Sequence, residues 1–367
     1  MPKSKQASSS QVIKVLQPQL PTASALAPFL QRIDASRTYS NYGPLSQEFG
    51  QRLGKMVGAN GTTLTSNGTT AIELALRLAS KPGVRYCLMP AFTFIASAHA
   101  VCNAGLTPYF LNVDPTTLTL TPEIASEALR TVDGAVAAVL VVSAFGAPPD
   151  QASWAAFEER HGIPVVFDAA AAVTNISRIG TQPVCVSLHA TKVLGIGEGG
   201  AIFSADPRFT EKATAMTGFG FLGPERVSSL RAGNYRISEY AAAVGLAVLD
   251  GLVEHVRALR DLTSEYARRL QSKSARLQEG VGSEWVTMTL NAIVSLDEAE
   301  ATIRRLEADQ IQWRHWWGLG CHRHPAFADL PRADLRATDA LAPCVIGVPF
   351  HNGLSQEDLD RIAGCLP

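Results

Sequence analysis

The sequence predicts an α/β protein in which a doubly wound, mostly parallel sheet forms a large domain and a smaller α/β domain follows it. Three observations carry this. From about residue 60, short apolar runs alternate with segments of helical periodicity. The run AVAAVLVV at 135–142 is apolar throughout, as a strand buried on both faces requires. The chain has 367 residues, 46% hydrophobic and 18% charged, enough for a sizeable core and two domains.

The chain opens with MPKSKQASSSQ, basic and serine-rich with no apolar run behind it. Residues 1–20 are therefore expected to be a disordered tail rather than a leader peptide. Residues 21–250 are assigned to the large domain. TTAIELALRLAS (69–80) has helical periodicity, and VRYCLMP (84–90) reads as a strand. FIASAHAVCNAG (94–105) is a helix closed by Gly105, followed by the strand TPYFLNV (107–113). PEIASEALR is a helix after a Thr121 cap, and 135–142 is the buried strand. Asp150 to His161 is a helix closed by Gly162, and PVVFD (164–168) is the next strand. Right-handed crossovers would join these units. CVSLHA (185–190) and AIFSA (201–205) are two further short strands. A long helical stretch, 237–270, is expected to break or bend at Gly245 or Gly251. It leads into the smaller domain, assigned to residues 251–367, whose own sheet and helices begin near 275.

Charge and cysteines narrow the class. Lys plus Arg number 32 and Asp plus Glu 33, a formal net charge of −1, so no global field draws nucleic acid or an anionic membrane. Any anionic ligand must be held by local groups. No apolar run reaches the roughly 18 residues that span a bilayer. The cysteines at 87, 102, 185, 321, 344 and 365 form no CxxC pair, and Cys87 and Cys185 lie inside apolar runs. They read as reduced thiols of a cytoplasmic protein. His322 and His324 resemble a metal pair only superficially, because no further ligands cluster near them.

Three stretches carry chemistry. In SLHATKVLGIGEGG (187–200), Lys192 stands between a histidine and four glycines. The glycines are followed by a strand, not a helix, which excludes a dinucleotide fingerprint. A partly desolvated lysine at a strand end can form a Schiff base with a carbonyl compound. In SNGTTAIELAL (66–76), Gly68 permits a tight turn while Thr69 and Thr70 open a helix, giving free N–H groups, hydroxyls and a positive dipole end. That suits a phosphate, though Ser/Thr caps open most helices. In VVFDAAAA, Asp168 ends an apolar strand, where a carboxylate is costly unless it meets a cation or serves as a cap. A phosphate cradle, a strand-end acid and a Schiff-base lysine in this order are the handles for pyridoxal phosphate (PLP).

The motifs SNGTTA, MPAFTFIASAHA, FDAAAA, SLHATK, GEGG and GNYRISEYAAA stand in one order that resembles the DegT/DnrJ/EryC1/StrS aminotransferases. The resemblance runs from SRTYSNYGPL (36–45) to VIGVPFHNGLSQEDLDRI (345–362). It implies the fold-type I PLP transferase architecture and amino transfer from L-glutamate to a nucleotide-linked keto sugar. Lys192 matches the Schiff-base lysine that also moves the substrate proton, and Asp168 the partner of the pyridine nitrogen. Phe94 matches an aromatic that stacks on the ring, although an aromatic there also suits a core. Gly68, Thr69 and Thr70 match the phosphate cradle and Ser187 the hydroxyl that completes it. Asn234 matches an asparagine that reaches the phosphate of the partner subunit, which implies a C2 homodimer with shared active sites.

Two positions depart from the family pattern. Ala171 stands where many members carry Gln or His near the cofactor's ring hydroxyl, and Ser143 where many carry His. YSNYGPL, the FDAAAA variant and IQWRHWWGLGCHRHPAF (311–327) most resemble the branch that aminates C4 of dTDP-4-keto-6-deoxyglucose. On that resemblance Asn41, Tyr42, Arg314 and His322 are candidate nucleotide-sugar contacts, whereas Trp313, Trp316 and Trp317 are expected in the core. A 3-keto-sugar aminotransferase, a UDP- or GDP-sugar 4-aminotransferase and a PLP-binding regulator without turnover are the alternatives.

Overall fold

A computed structural model describes residues 12–367. In chain order the elements are α1 (Ala23–Ser36), α2 (Pro44–Val57), β1 (Gly61–Thr65), α3 (Gly68–Ala79), β2 (Tyr86–Pro90), α4 (Ile95–Asn103) and β3 (Thr107–Leu111). There follow α5 (Pro122–Ala128), β4 (Val136–Val142), α6 (Gln151–His161), β5 (Val165–Asp168), β6 (Val184–Ser187), β7 (Gly200–Ser204) and α7 (Pro207–Thr217). Then come α8 (Glu239–Asp250), α9 (Leu252–Leu270), β8 (Asn291–Ile293), α10 (Leu296–Ala308), α11 (Arg336–Leu341), β9 (Val345–Gly347) and α12 (Gln356–Cys365).

The main sheet has seven strands in the order β1-β7-β6-β5-β4-β2-β3. Only β7 runs against its neighbours; β6, β5, β4, β2 and β3 pair in parallel. The apolar run at 135–142 becomes β4, buried at every position, and β5 beside it is equally enclosed. Parallel strands covered on both faces need this unbroken hydrophobicity. Helix α3 packs on β5, β6 and β7 through Ala71, Ile72, Leu74, Ala75 and Leu76, all buried. The long helical stretch ends as α8 and restarts as α9 at Gly251, so the expected break falls there rather than at Gly245. Beyond it a second sheet pairs β8 antiparallel to β9.

Two expectations about organisation are corrected. Of the tail expected over 1–20, residues 1–11 lie outside the described residues, but the chain is anchored soon after. The Ile13 N–H donates to the Gln310 carbonyl at 3.1 Å, the Ile13 carbonyl accepts from Gln312 N–H at 2.9 Å, and Phe350 N–H donates to the Val15 carbonyl at 3.1 Å. Ile13 and Val15 are both buried. Alternation in the short run VIKV therefore marks an extended segment added to the C-terminal part. Residues 320–335, assigned to the C-terminal unit, run along β3 instead. Phe110 N–H donates to the Pro331 carbonyl at 3.0 Å, and Ala333 N–H donates to the Phe110 carbonyl at 2.9 Å. Cys321, Phe327 and Leu335 share a core cluster with Met89, Val101 and Phe110.

Candidate active site

The carboxyl ends of adjacent parallel strands are where ligands gather in such sheets. Here the registers bring three candidate residues to one row of strand ends. Val142 pairs with Asp168 and Asp168 with Cys185, so Ser143, Asp168 and Ser187 follow or end β4, β5 and β6 side by side.

Asp168 is 5% exposed. Ser97 Oγ donates to its Oδ2 at 2.6 Å, and Ala170 N–H donates to its Oδ1 at 3.1 Å. Thr93 Oγ1 lies 3.0 Å from Ser97 Oγ, extending the chain of hydroxyls into α4. Burial pushes the carboxyl above its ordinary range, while the Ser97 and Ala170 bonds and the Lys192 charge pull it back. Burial likewise holds the Lys192 ammonium below its ordinary value, and the Asp168 charge works against it. The acid and the lysine thus act on each other across the site. A cation binding against Asp168 would relieve the desolvation that now raises it.

Lys192 sits in a turn built by its own neighbours. Its N–H donates to the His189 carbonyl at 2.8 Å, and the Ala190 N–H to the Gly197 carbonyl at 2.8 Å. His189 Nδ1 lies 2.9 Å from Thr191 Oγ1 and 3.3 Å from Thr191 N, and its Nε2 lies 3.7 Å from Glu198 Oε1. The glycines fold back over this turn: a Cβ on Gly195 would come within 2.7 Å of the Ala190 carbonyl oxygen. That close approach is why the lysine keeps such small neighbours. A cavity of about 10 Å³ beside Lys192 is lined by Gln17, Gln19, His255, Met288, His351 and Asn352. It has room for no more than about one water.

The phosphate cradle is the amino end of α3. Asn67 caps the helix by accepting from Thr70 N–H at 2.8 Å, and Ala71 N–H donates to the Asn67 carbonyl at 3.2 Å. The Gly68 and Thr69 N–H groups at the helix start have no intrahelical acceptor. The Thr70 backbone donor is therefore taken by Asn67, and its side chain is buried at the first turn of α3. Gly68 is pressed on Ser187: a Cβ there would lie 2.8 Å from Ser187 Cβ. The contact joins the cradle to the end of β6. Phe94, at the N-cap of α4, is 55% exposed, which rules out core packing for it in this chain.

The remaining candidates separate. Asn41 and Tyr42 both adopt positive φ, 64° and 60°. Arg236 clamps Asn41 and also donates to Asn234 Oδ1 at 3.0 and 2.8 Å. Tyr42 OH bonds the Thr214 carbonyl at 2.8 Å and Thr217 Oγ1 at 2.6 Å. Asn41, Tyr42, Thr214 and Arg236 border one groove with Phe219 and Arg226. Tyr235 follows Asn234, and its carbonyl accepts from Ser66 N–H at 2.6 Å, so this segment passes the start of α3. Asn234 itself is exposed.

Arg314 and His322 do not line that groove. Arg314 donates to the Trp313 carbonyl at 3.1 Å and borders a groove with Val12 and Glu307 that shares no residue with the Lys192 cavity. His322 is buried with Nε2 2.9 Å from Asp339 Oδ1. Despite some burial, the bonds from Arg323 and His322 hold the Asp339 carboxyl below its usual range. Of the three tryptophans, Trp317 stacks on Phe145 at 3.9 Å, within the apolar cluster expected of it. The residues not anticipated are Ser97, His189 and His351. A hydroxyl pair spaced four apart, Thr93 just before α4 and Ser97 in its first turn, is the available signal for the first.

The donor set fits PLP: a buried acid for a ring nitrogen, an enclosed amine for an aldehyde, and a helix start that only glycine lets close on a serine hydroxyl. A fold-type I sheet with these groups at and just beyond its strand ends defines a PLP-dependent aminotransferase. The chain belongs to the DegT/DnrJ/EryC1/StrS aminotransferase family, whose sequence profile matches residues 24–367. It is similar to the GDP-perosamine synthase of Caulobacter vibrioides, at 30% identity over 89% of this chain and 90% of that one. It is also similar to the dTDP-4-amino-4,6-dideoxy-D-glucose transaminase of Shigella dysenteriae, at 29% identity over 71% of this chain and 70% of that one. Among solved structures, a PLP-dependent aminotransferase from Bacillus cereus superposes with a TM-score of 0.91 at 27% identity, covering 97% of this chain and 99% of that one. Among the described residues no helix is long and apolar enough to cross a membrane, and no cluster of three His, Cys, Asp or Glu side chains could hold a metal ion.

Proposed function

We propose that the protein moves an amino group from L-glutamate to C4 of a nucleotide-linked keto sugar, dTDP-4-keto-6-deoxy-D-glucose, in the cytoplasm. The observation that carries the reaction type is a buried Asp168 at the end of β5, its carboxylate held by Ser97 and Ala170, with Lys192 in the turn that follows the neighbouring strand β6. The sugar assignment rests on the YSNYGPL and FDAAAA variants and on the likeness to the Shigella dysenteriae transaminase.

When bound, PLP supplies an aldehyde to take up the amino group and a protonated ring that draws off electrons as the substrate C–H bond breaks. The chain's residues divide the remaining work. Asp168 keeps a proton on the ring nitrogen, and Ser97 and Ala170 hold its two oxygens in place. The lowered proton affinity of Lys192 leaves more of its amine neutral near pH 7, the form that attacks a carbonyl and accepts a carbon-bound proton. The Gly68 and Thr69 N–H groups and Ser187 Oγ hold the phosphate at the positive end of α3. Phe94, exposed at the N-cap of α4, would be the aromatic to cover a face of the bound ring. Asn41 and Tyr42, held in their strained backbone conformation by Arg236 and Thr217, face the sugar nucleotide. The working unit is a homodimer in which Asn234 of the partner subunit completes each phosphate site. Glutamate and the sugar use the same amine carrier in turn, so the kinetics are ping-pong.

The test incubates purified protein with L-glutamate and a panel of 3-keto and 4-keto sugars on dTDP, UDP and GDP, then locates the new amine by NMR. Amination at C4 of the dTDP sugar alone supports the assignment. Faster turnover of a GDP-linked sugar would favour the chemistry named for the Caulobacter vibrioides relative. A visible spectrum unchanged by every amino donor would make the protein a PLP-binding regulator.

A further inference from the structure

PLP presents four polar handles: a phosphate, a ring nitrogen, an aldehyde and a phenolic ring hydroxyl. The residues above serve three of them. Position 171, the third residue after Asp168, is alanine and offers nothing to the fourth.

Ser143 follows β4 and is 7% exposed, and its Oγ is buried without a hydrogen-bond partner. Most buried hydroxyls in native proteins are bonded, so an orphan calls for an explanation. Its place in the fold supplies one. Ser143 N–H donates to the Asp168 carbonyl at 2.9 Å, so the serine is the lateral neighbour of the acid that serves the ring nitrogen. The turn it opens, Ala144–Gly146, abuts the turn after Asp168. Asn175 Nδ2 donates to the Gly146 carbonyl at 2.6 Å, and a Cβ on Gly146 would meet the Ala171 carbonyl oxygen at 3.0 Å. A second buried hydroxyl in that turn, Thr174 Oγ1, is also without a partner. The end of β4 and the turn after Asp168 thus hold two unassigned hydroxyls near Ala171, which has no polar side chain.

Resting on the cofactor placement proposed above, we propose that Ser143 is a cofactor-positioning residue that donates a hydrogen bond to the PLP ring hydroxyl in its ionised form, the task Ala171 cannot perform. The donation draws charge from that oxygen. Less charge there stabilises the proton shared with the imine nitrogen less, so the serine lowers the proton affinity of the Lys192-linked cofactor.

Ser143→Ala, Ser143→Thr and the parent enzyme would be titrated with acid and base while the visible band of the bound cofactor is followed. The midpoint in Ser143→Ala should rise by about one pH unit, about tenfold in proton affinity. Ser143→Thr, which keeps the hydroxyl, should return it toward the parent value. Thermal melts of the cofactor-free proteins separate this from a structural role. Ser143→Ala removes a hydroxyl that has no partner, so its apo-protein should melt no lower than the parent. Borohydride reduction and peptide mapping run alongside. If Lys192 carries the label and the midpoint of Ser143→Ala stays within a few tenths of a unit of the parent, the Ser143 assignment is wrong while the Lys192 reading stands. If the parent enzyme carries no label on Lys192, both fall. An apo-protein of Ser143→Ala that melts well below the parent would show that the hydroxyl serves the fold, which also overturns the assignment.

Discussion

Replacing Gly68 by alanine probes the cradle most directly. The new Cβ would lie 2.8 Å from Ser187 Cβ and 3.1 Å from Ser187 Cα. Carbon atoms in contact sit about 3.5–4.0 Å apart, so the helix start and the strand end must separate by roughly 0.7 Å. Neither partner yields easily. Ser187 is tied into the sheet through Gly200, and its N–H donates to the Ala170 carbonyl at 3.2 Å. The amino end of α3 moves instead. A charge-assisted hydrogen bond to phosphate contributes about 1.5–3 kcal/mol, and a shift of this size carries an N–H beyond the 3.2 Å limit of good geometry. Losing the equivalent of one such bond weakens PLP binding by about 10- to 150-fold. Overpacking also lowers apo-protein stability by about 1–3 kcal/mol. The assay is a fluorescence titration of apo-protein with PLP, with Gly364→Ala, which meets nothing within 4 Å, as control. If Gly68→Ala bound PLP within twofold of the parent, the cradle would not be at this helix start.

Asp168→Ala should retain cofactor binding yet slow the half-reaction with glutamate by at least ~10²-fold, read in single-turnover stopped flow; near-normal turnover would remove the acid from its role. Phe94→Ala should change apo-protein stability by no more than about 0.5 kcal/mol, because the ring is exposed, while PLP affinity falls about 2- to 10-fold. A lowered melting temperature with unchanged affinity would return Phe94 to a packing role. His351 gives a pH dependence. Burial leads the influences that hold its imidazole below the ordinary value, against the Lys14 carbonyl and Asp358, which raise it. A histidine lowered in the folded state takes its proton more readily when unfolded. Its contribution to stability is therefore whole above about pH 6.5 and is lost as pH falls toward the folded value. His351→Gln should flatten the stability curve between about pH 6.5 and 5 in chemical denaturation; an unchanged slope would clear His351 of the effect.

The strands and helices that form the site are legible because each carries its own signal. The unbroken apolar run of β4 announces double-sided burial, and Asn67, Thr121 and Asp150 cap helices at local hydrogen-bonding distance. β1 was not read at all: GTTLT has only one large apolar side chain, and its pairing with β7 is decided by residues far along the chain. The reversed direction of β7 is likewise a matter of partners rather than composition. His322 shows the same limit. Nothing local tells that its ring is committed to Asp339, seventeen positions on. Arg314 is similar, since an exposed arginine in an aromatic-rich loop looks alike whether it meets a ligand or a backbone carbonyl. Lys192, Asp168 and Gly68 were readable because each stands in a short motif that is chemically odd for a surface or a core.

The anchoring of Ile13 and Val15 has a consequence for how the molecule is made. Val15 N–H reaches Gln312 Oε1 at 3.2 Å, and His351 Nε2 reaches the Lys14 carbonyl at 3.1 Å, so residues 13–15 close on segments about three hundred positions later. During synthesis on a ribosome the main sheet can assemble while this segment waits, and the circuit shuts only after residues 310–351 have emerged. A protease that trims the first sixteen residues, or a bulky fusion placed directly before Val12, would therefore strike the part of the protein completed last.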